Sequence, residues 1–148
     1  MQAAASLVNE KRIRKDFETI REISKDPQGG VTRLAYTETE TKAHEYVISE
    51  ARKIGLAATT DAVGNLYVKL GGGNEKIIRI GSHLDSVNNG GNYDGAVGVL
   101  TSLEALRCLI EAKAILKHPV ELVVFRAEES AALPRTHSTL QTTGYLQE

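Results

Sequence analysis

The sequence predicts an α/β domain built around a parallel strand–helix–strand unit, and three stretches carry that prediction. Ile77-Ile78-Arg79-Ile80 and Val120-Glu121-Leu122-Val123-Val124-Phe125 are short apolar runs that read as buried strands. Between them Ala96, Val99, Leu100, Leu103, Leu106 and Ile110 recur at helical spacing, so residues 76 to 126 have the spacing of a βαβ crossover. The third stretch runs from Gly81 to Gly95 and joins the first strand to the helix. It is polar, glycine-rich and holds His83, Asp85 and Asp94. Ligands of open α/β sheets bind at such carboxyl ends of strands, so this loop is a candidate metal site.

Bulk properties narrow the classes. At 148 residues the chain is long enough for one domain with a real core. A formal net charge of -1 gives no electrostatic case for nucleic acid or a membrane surface. Hydrophobic residues make up 41%, in short runs that fall far below the ~20 a membrane span requires. The N-terminal residues lack the basic start and long apolar middle of a secretory signal. A single cysteine, Cys108, excludes an internal disulfide and suits a reducing compartment, and the expected location is cytoplasmic.

Taken in order, Asn9 is placed to cap a first helix with Ile13, Phe17 and Ile20 on one face. Its charged residues read as a solvated surface. Asp26-Pro27-Gln28-Gly29-Gly30 ends it. Thr37 and Glu40 have capping-box spacing, and Ala43, Val47, Ala51 and Ile54 form the stripe of a second helix stopped by Gly55. His44 is off that stripe and reads as a surface histidine. Residues 57–61 and 65–70 read as strands with a turn at Val63-Gly64. Gly71-Gly72-Gly73 lacks a following Gly-Lys-Ser/Thr and reads as a flexible strand-to-strand turn, not a phosphate loop. Cys108 reads as a packing residue. Beyond Ser130 no period is visible, and residues 131–148 read as an atypical, poorly ordered tail.

The chemistry sits in His83, Asp85, Asp94, Glu128 and Glu129. If the two strands are parallel neighbours, these groups share one rim. Carboxylates crowded there raise one another's pKa, and a divalent cation removes the repulsion. Imidazole with carboxylate suits zinc, manganese or cobalt. Asp85 stands where it can accept a ring N–H of His83 and fix its tautomer. An extended backbone at Glu128-Glu129 would point the two side chains apart, one to metal and one to substrate.

These residues carry a resemblance. The stretch from Gly81 to Leu100 is similar to the metal-binding segment of the N-carbamoyl-L-amino-acid hydrolase and allantoate amidohydrolase (hydantoinase/carbamoylase) family of dinuclear zinc-type amidohydrolases and peptidases. Arg33-Leu34-Ala35-Tyr36-Thr37, Asp61 to Leu66 and His118 to Phe125 also resemble it. The resemblance implies a zinc-aminopeptidase-like three-layer α/β/α sandwich with a mixed, largely parallel sheet, incomplete here. Residues 1–130 would be the N-terminal part of the catalytic domain. It implies two divalent ions (Zn, Mn, Co or Ni), with His83 on one metal, Asp94 bridging, and Glu129 on the second. Asp85 would orient His83, and Glu128 would be the general base toward a metal-bridging water. The implied reaction is hydrolysis of C–N bonds in N-carbamoyl or ureido substrates such as N-carbamoyl-L-amino acids or allantoate. Members are homodimers and are longer. Two further histidine ligands and a smaller inserted α/β domain come from chain not present here. After Glu129 the segment Ser130 to His137 departs from the family pattern, which suggests truncation and weak activity alone. A metallopeptidase or deacylase of the wider group, or a non-catalytic remnant, are the alternative readings.

Overall fold

A computed structural model describes residues 6–73 and 76–129. The expected tail and His137 lie outside the described residues. Helix α1 spans Glu10–Ser24, and the Asn9 side chain caps it by accepting the Arg12 N–H. Helix α2 spans Glu38–Lys53 and is capped by Thr37, whose hydroxyl accepts the Glu40 N–H at 3.4 Å. Strands β1 (Ala58–Thr60) and β2 (Leu66–Leu70) form an antiparallel hairpin. Strand β3 (Ile78–His83), helix α3 (Ala96–Glu111) and strand β4 (Val120–Phe125) form the predicted crossover, with β3 and β4 parallel neighbours.

The sheet is mixed, in the order β1-β2-β4-β3. Two expectations change with that order. The triple glycine connects β2 to β3, which are not adjacent, because β4 lies between them. Glycine content alone said nothing of which strand would insert. The run Ile77 to Ile80 is not a buried strand either, since β3 is an edge and Ile78 is 50% exposed.

Helices α2 and α3 pack on one face of the sheet, and α1 packs against both of them. Leu66, Val68, Leu122 and Val124 point from β2 and β4 into a single cluster with Ile20, Val47, Leu100 and Leu103. These side chains are fully buried, and each such burial stabilises by roughly 1.5–3 kcal/mol. Gly98 lets α3 lie against β3, for a Cβ there would stand 2.6 Å from the Ser82 Cβ. The opposite face carries Tyr67, Arg79 and Glu121, with Arg79 Nε 2.7 Å from Glu121 Oε2 and its guanidinium 5.8 Å above the Tyr67 ring. That is the side on which an α/β/α sandwich sets its second helical layer.

The helical layer has a polar seam, and it takes in Arg12 of α1, which the sequence reading placed on a solvated surface. Buried Arg107 on α3 pairs with Asp16 of α1 at 2.5 Å and with Glu50 of α2 at 2.7 Å. Tyr46 donates to Asp16 at 2.6 Å, and Arg12 grips Glu104 with two N–H donors at 2.7 and 2.8 Å. One guanidinium therefore ties three helices together.

His44 is a correction as well. It is 5% exposed, and its Nε2 lies 3.7 Å from Oε1 of fully buried Glu40. Burial, reinforced by the Arg126 charge, pushes its pKa down to about 3. The unfolded chain therefore takes up a proton below about 6.5 that the folded chain refuses until about 3. Glu40, raised to about 7 by burial, acts in the opposite sense between 7 and 4.5.

Arg107→Ala takes the cation away from the buried Asp16 carboxylate, and chemical denaturation should show a loss of about 3–5 kcal/mol. A loss under ~0.5 kcal/mol would mean that the seam contributes nothing. For His44→Leu, the stability difference from the parent chain should turn in the variant's favour as pH falls from 6.5 toward 3, by up to ~1.4 kcal/mol per unit. Urea midpoints measured at several pH values check this, and a pH-independent difference counts against a neutral buried imidazole.

Candidate metal centre

The parallel register pairs His83 with Phe125, so β3 and β4 end side by side and both chains leave over the same rim. His83 is 6% exposed. Its Nδ1 lies 3.0 Å from the Asp85 backbone carbonyl and 3.5 Å from the Asp85 carboxylate. A carbonyl accepts and cannot donate, so Nδ1 carries the hydrogen and the Nε2 lone pair faces the cluster. The nearer orienting partner is therefore the Asp85 main chain, where the sequence reading had its side chain.

The Asp85 carboxylate, 3.5 Å from His83 Nδ1, has further partners. It is buried, and its two oxygens accept the backbone N–H groups of Glu128 at 3.2 Å and Glu129 at 2.8 Å. The loop after β3 thus holds the loop after β4. Behind it, Arg33 is fully buried and donates its Nε to the Leu84 carbonyl and an Nη to Ser24 Oγ at 2.6 Å. Arg33 and Ser86 exchange two further bonds, Arg33 N–H to Ser86 Oγ and Ser86 N–H to the Arg33 carbonyl, each 2.9 Å. Burial brings the Arg33 guanidinium down to about 10 against the attraction of Asp85 and Glu40. No pattern in the sequence marked Arg33 as interior; it stood out only within a segment of family resemblance.

Helix α3 starts from Gly95, whose φ of 63° lies in the left-handed region. A Cβ there would fall 2.6 Å from the ring atoms Cε1 and Nδ1 of His83. The N-cap of α3 is Gly95, which has no side chain to offer, and the exposed carboxylate of the preceding Asp94 lies 4.0 Å from His83 Nε2 at the rim.

Glu128 and Glu129 do not point apart. The backbone leaves the extended conformation at Ala127, with φ 56°, and turns both side chains toward the same cluster. Glu128 Oε2 is 3.6 Å from His83 Nε2, and Asp94 Oδ1 is 4.0 Å from it. His83, Asp94 and Glu129 each offer a ligand atom, and all three atoms lie within 4.8 Å of one another. Burial raises the Glu129 pKa, a hydrogen bond shared with Asp94 and the charges of Asp94 and Glu128 add to the rise, and His83 opposes it. Burial disfavours the His83 imidazolium, but Asp85 and Glu128 outweigh it and the net shift is upward. One nitrogen and two crowded carboxylates on a half-buried rim fit a divalent cation, whose charge removes the repulsion.

The structure thus sets a cluster that could hold a metal ion at the strand ends of a mixed α/β sheet. Residues 65–143 match peptidase family M28. The chain is 39% identical over 127 residues to the N-carbamoyl-L-amino acid amidohydrolase of Geobacillus stearothermophilus, covering 84% of this chain and 31% of that protein. It is 38% identical over 123 residues to the allantoate amidohydrolase of Bacillus subtilis, covering 82% of this chain and 30% of that one. The crystal structure of a hydantoinase/carbamoylase family amidase from Burkholderia ambifaria superposes with a TM-score of 0.88 at 33% identity, over 94% of this chain and 35% of that one. The chain belongs to peptidase family M28, and the relatives and solved structures reported above, to which it is similar, are amidohydrolases and hydantoinase/carbamoylase amidases. It spans about three tenths of the length of the curated relatives it matches.

Gly95→Ala forces an L residue into the left-handed region and drives its methyl into His83. We expect at least the ~1–2 kcal/mol cost of that backbone conformation, with a displaced His83 ring signal in NMR spectra. An unmoved ring signal and unchanged stability would contradict the close approach.

Proposed function

We propose that the chain carries part of the centre of a metal-dependent hydrolase of non-peptide C–N bonds, acting on N-carbamoyl-amino acid or ureido substrates. The observation that supports this most is the convergence of His83, Asp94 and Glu129, with Glu128 beside them, in a chain of this enzyme family. In this reading His83, Asp94 and Glu129 would together hold the divalent ions, Zn, Mn, Co or Ni. When bound, such ions polarise a carbonyl as Lewis acids and lower the pKa of water. Glu128 accepts a proton from the attacking water and returns it to the leaving nitrogen. Hydrolysis of an N-carbamoyl group in this way yields an amino acid, ammonia and carbon dioxide. Asp85 keeps the loops in register, and the Nδ1–H bond of His83 to the Asp85 carbonyl keeps Nε2 free to ligate.

We take residues 1–130 as catalytic-domain sequence and 131–148 as a separate, atypical segment. The named relatives hydrolyse N-carbamoyl-L-amino acids, allantoate and ureidoglycolate, and a small molecule of that chemistry is the substrate class we assign. A homodimer and a reducing cytoplasmic setting complete the reading. Among the described residues no helix is long and apolar enough to cross a membrane. Cys108 is a buried free thiol.

Metal content by elemental analysis and ammonia release from N-carbamoyl-L-amino acids test the proposal together. With three candidate ligands among the described residues, the chain should bind zinc or manganese weakly and turn over little. His83→Ala or Asp94→Ala should lower metal occupancy by about tenfold or more. Occupancy unchanged by either substitution would sink the site, and robust ammonia release would sink the expectation of weak turnover.

A further inference from the structure

The hydrogen-bonded ladder of β4 stops at Phe125, and four residues later the chain delivers Glu129. Asp85 holds the far end of that turn through the amides of Glu128 and Glu129. The near end is held by Arg126. Its backbone N–H donates to Asn65 Oδ1 at 2.9 Å, and its Nη2 donates to Thr41 Oγ1 at 3.0 Å. Its Nε forms an ion pair with Glu40 Oε2 at 2.9 Å, and its guanidinium lies 5.5 Å over the Tyr36 ring.

Glu40 is fully buried and also accepts the Tyr36 N–H at 2.6 Å, so it is fixed to the start of α2. Between the two anchored ends sits Ala127, fully buried and at φ 56°. An alanine stays in that region only where its surroundings over-determine it. Release of one anchor would let the turn relax toward ordinary backbone angles and carry Glu128 and Glu129 away from His83.

We infer that the buried Glu40–Arg126 pair is a positioning element for the ligand-bearing turn, transmitting the placement of helix α2 to Glu128 and Glu129. The inference rests on reading Glu129 as a metal ligand. Neither Glu40 nor Arg126 touches the cluster, so both act through the backbone of residues 126–129. A purely structural ion pair would contribute to global stability and leave the turn no looser than the rest of the fold.

Hydrogen exchange of assigned amides in the whole chain separates the two roles without any metal. The double variant Glu40→Gln/Arg126→Met removes both charges together, which avoids an orphaned buried charge and keeps the fold. In it the Glu128 and Glu129 amides should exchange about tenfold faster or more, while Leu122 and Val124 in β4 keep their parent rates. Cobalt(II), followed by its visible absorption, should bind about tenfold more weakly. Arg126→Lys keeps the charge but loses the planar fork, and should fall between the two. Unchanged exchange at Glu128 and Glu129, or a uniform acceleration that includes Leu122 and Val124, overturns the inference. A parent chain that takes up no cobalt overturns the ligand reading of Glu129 alone, and the exchange comparison then still decides the role of the pair.

Discussion

Everything at the rim depends on the parallel pairing of β3 with β4. Because the two strands run the same way and end in register, the chain emerges twice at one place, each time with carboxylates just beyond the last ladder bond. An antiparallel pair would have put these groups at opposite ends of the sheet. Asp85 then converts proximity into geometry by accepting two amides from the second exit. Bonds to a charged acceptor contribute about 1.5–3 kcal/mol each, and a buried carboxylate without them would be costly. The staple and the burial therefore require each other.

The cluster also carries a tension that shapes its chemistry. Asp94, Glu128 and Glu129 surround one imidazole, and the Glu129 carboxyl is raised because its own burial and its acidic neighbours disfavour its charge. Any cation bound there stabilises the folded chain over the unfolded one, since the unfolded chain has no such convergence. Binding and folding are linked through the same carboxylates.

Much of this was legible in residue order. The apolar stripe of α3, the β-branched run of β4, the Asn9 and Thr37 caps and the crossover all follow from local spacing. The rim residues were legible because each sits at the end of such an element. What local pattern does not encode is partner choice across long separations. Asp16 and Arg107 are 91 positions apart, and each alone looks like an ordinary surface charge. His44 looked peripheral for the same reason, because the Arg126 that pairs with its neighbour Glu40 belongs to a distant strand exit. The insertion of β4 beside β2 is a property of the sheet, and the glycine loop that precedes β3 carries no trace of it. The turn at Ala127 was invisible because alanine does not favour a positive φ; its neighbours impose it.

The strand order has a consequence for how this sheet meets other chain. Its two borders are unequal: β1 presents three residues, whereas β3 presents six, with Ile78 half exposed. Backbone groups along a border strand are a template for a further strand. The longer template is the one that ends in His83. A strand laid against it would therefore lie beside the strand that ends at the candidate metal rim, whereas one laid against β1 would be separated from β3 by β1, β2 and β4. Among the described residues, the longer border is the one that ends at the candidate site.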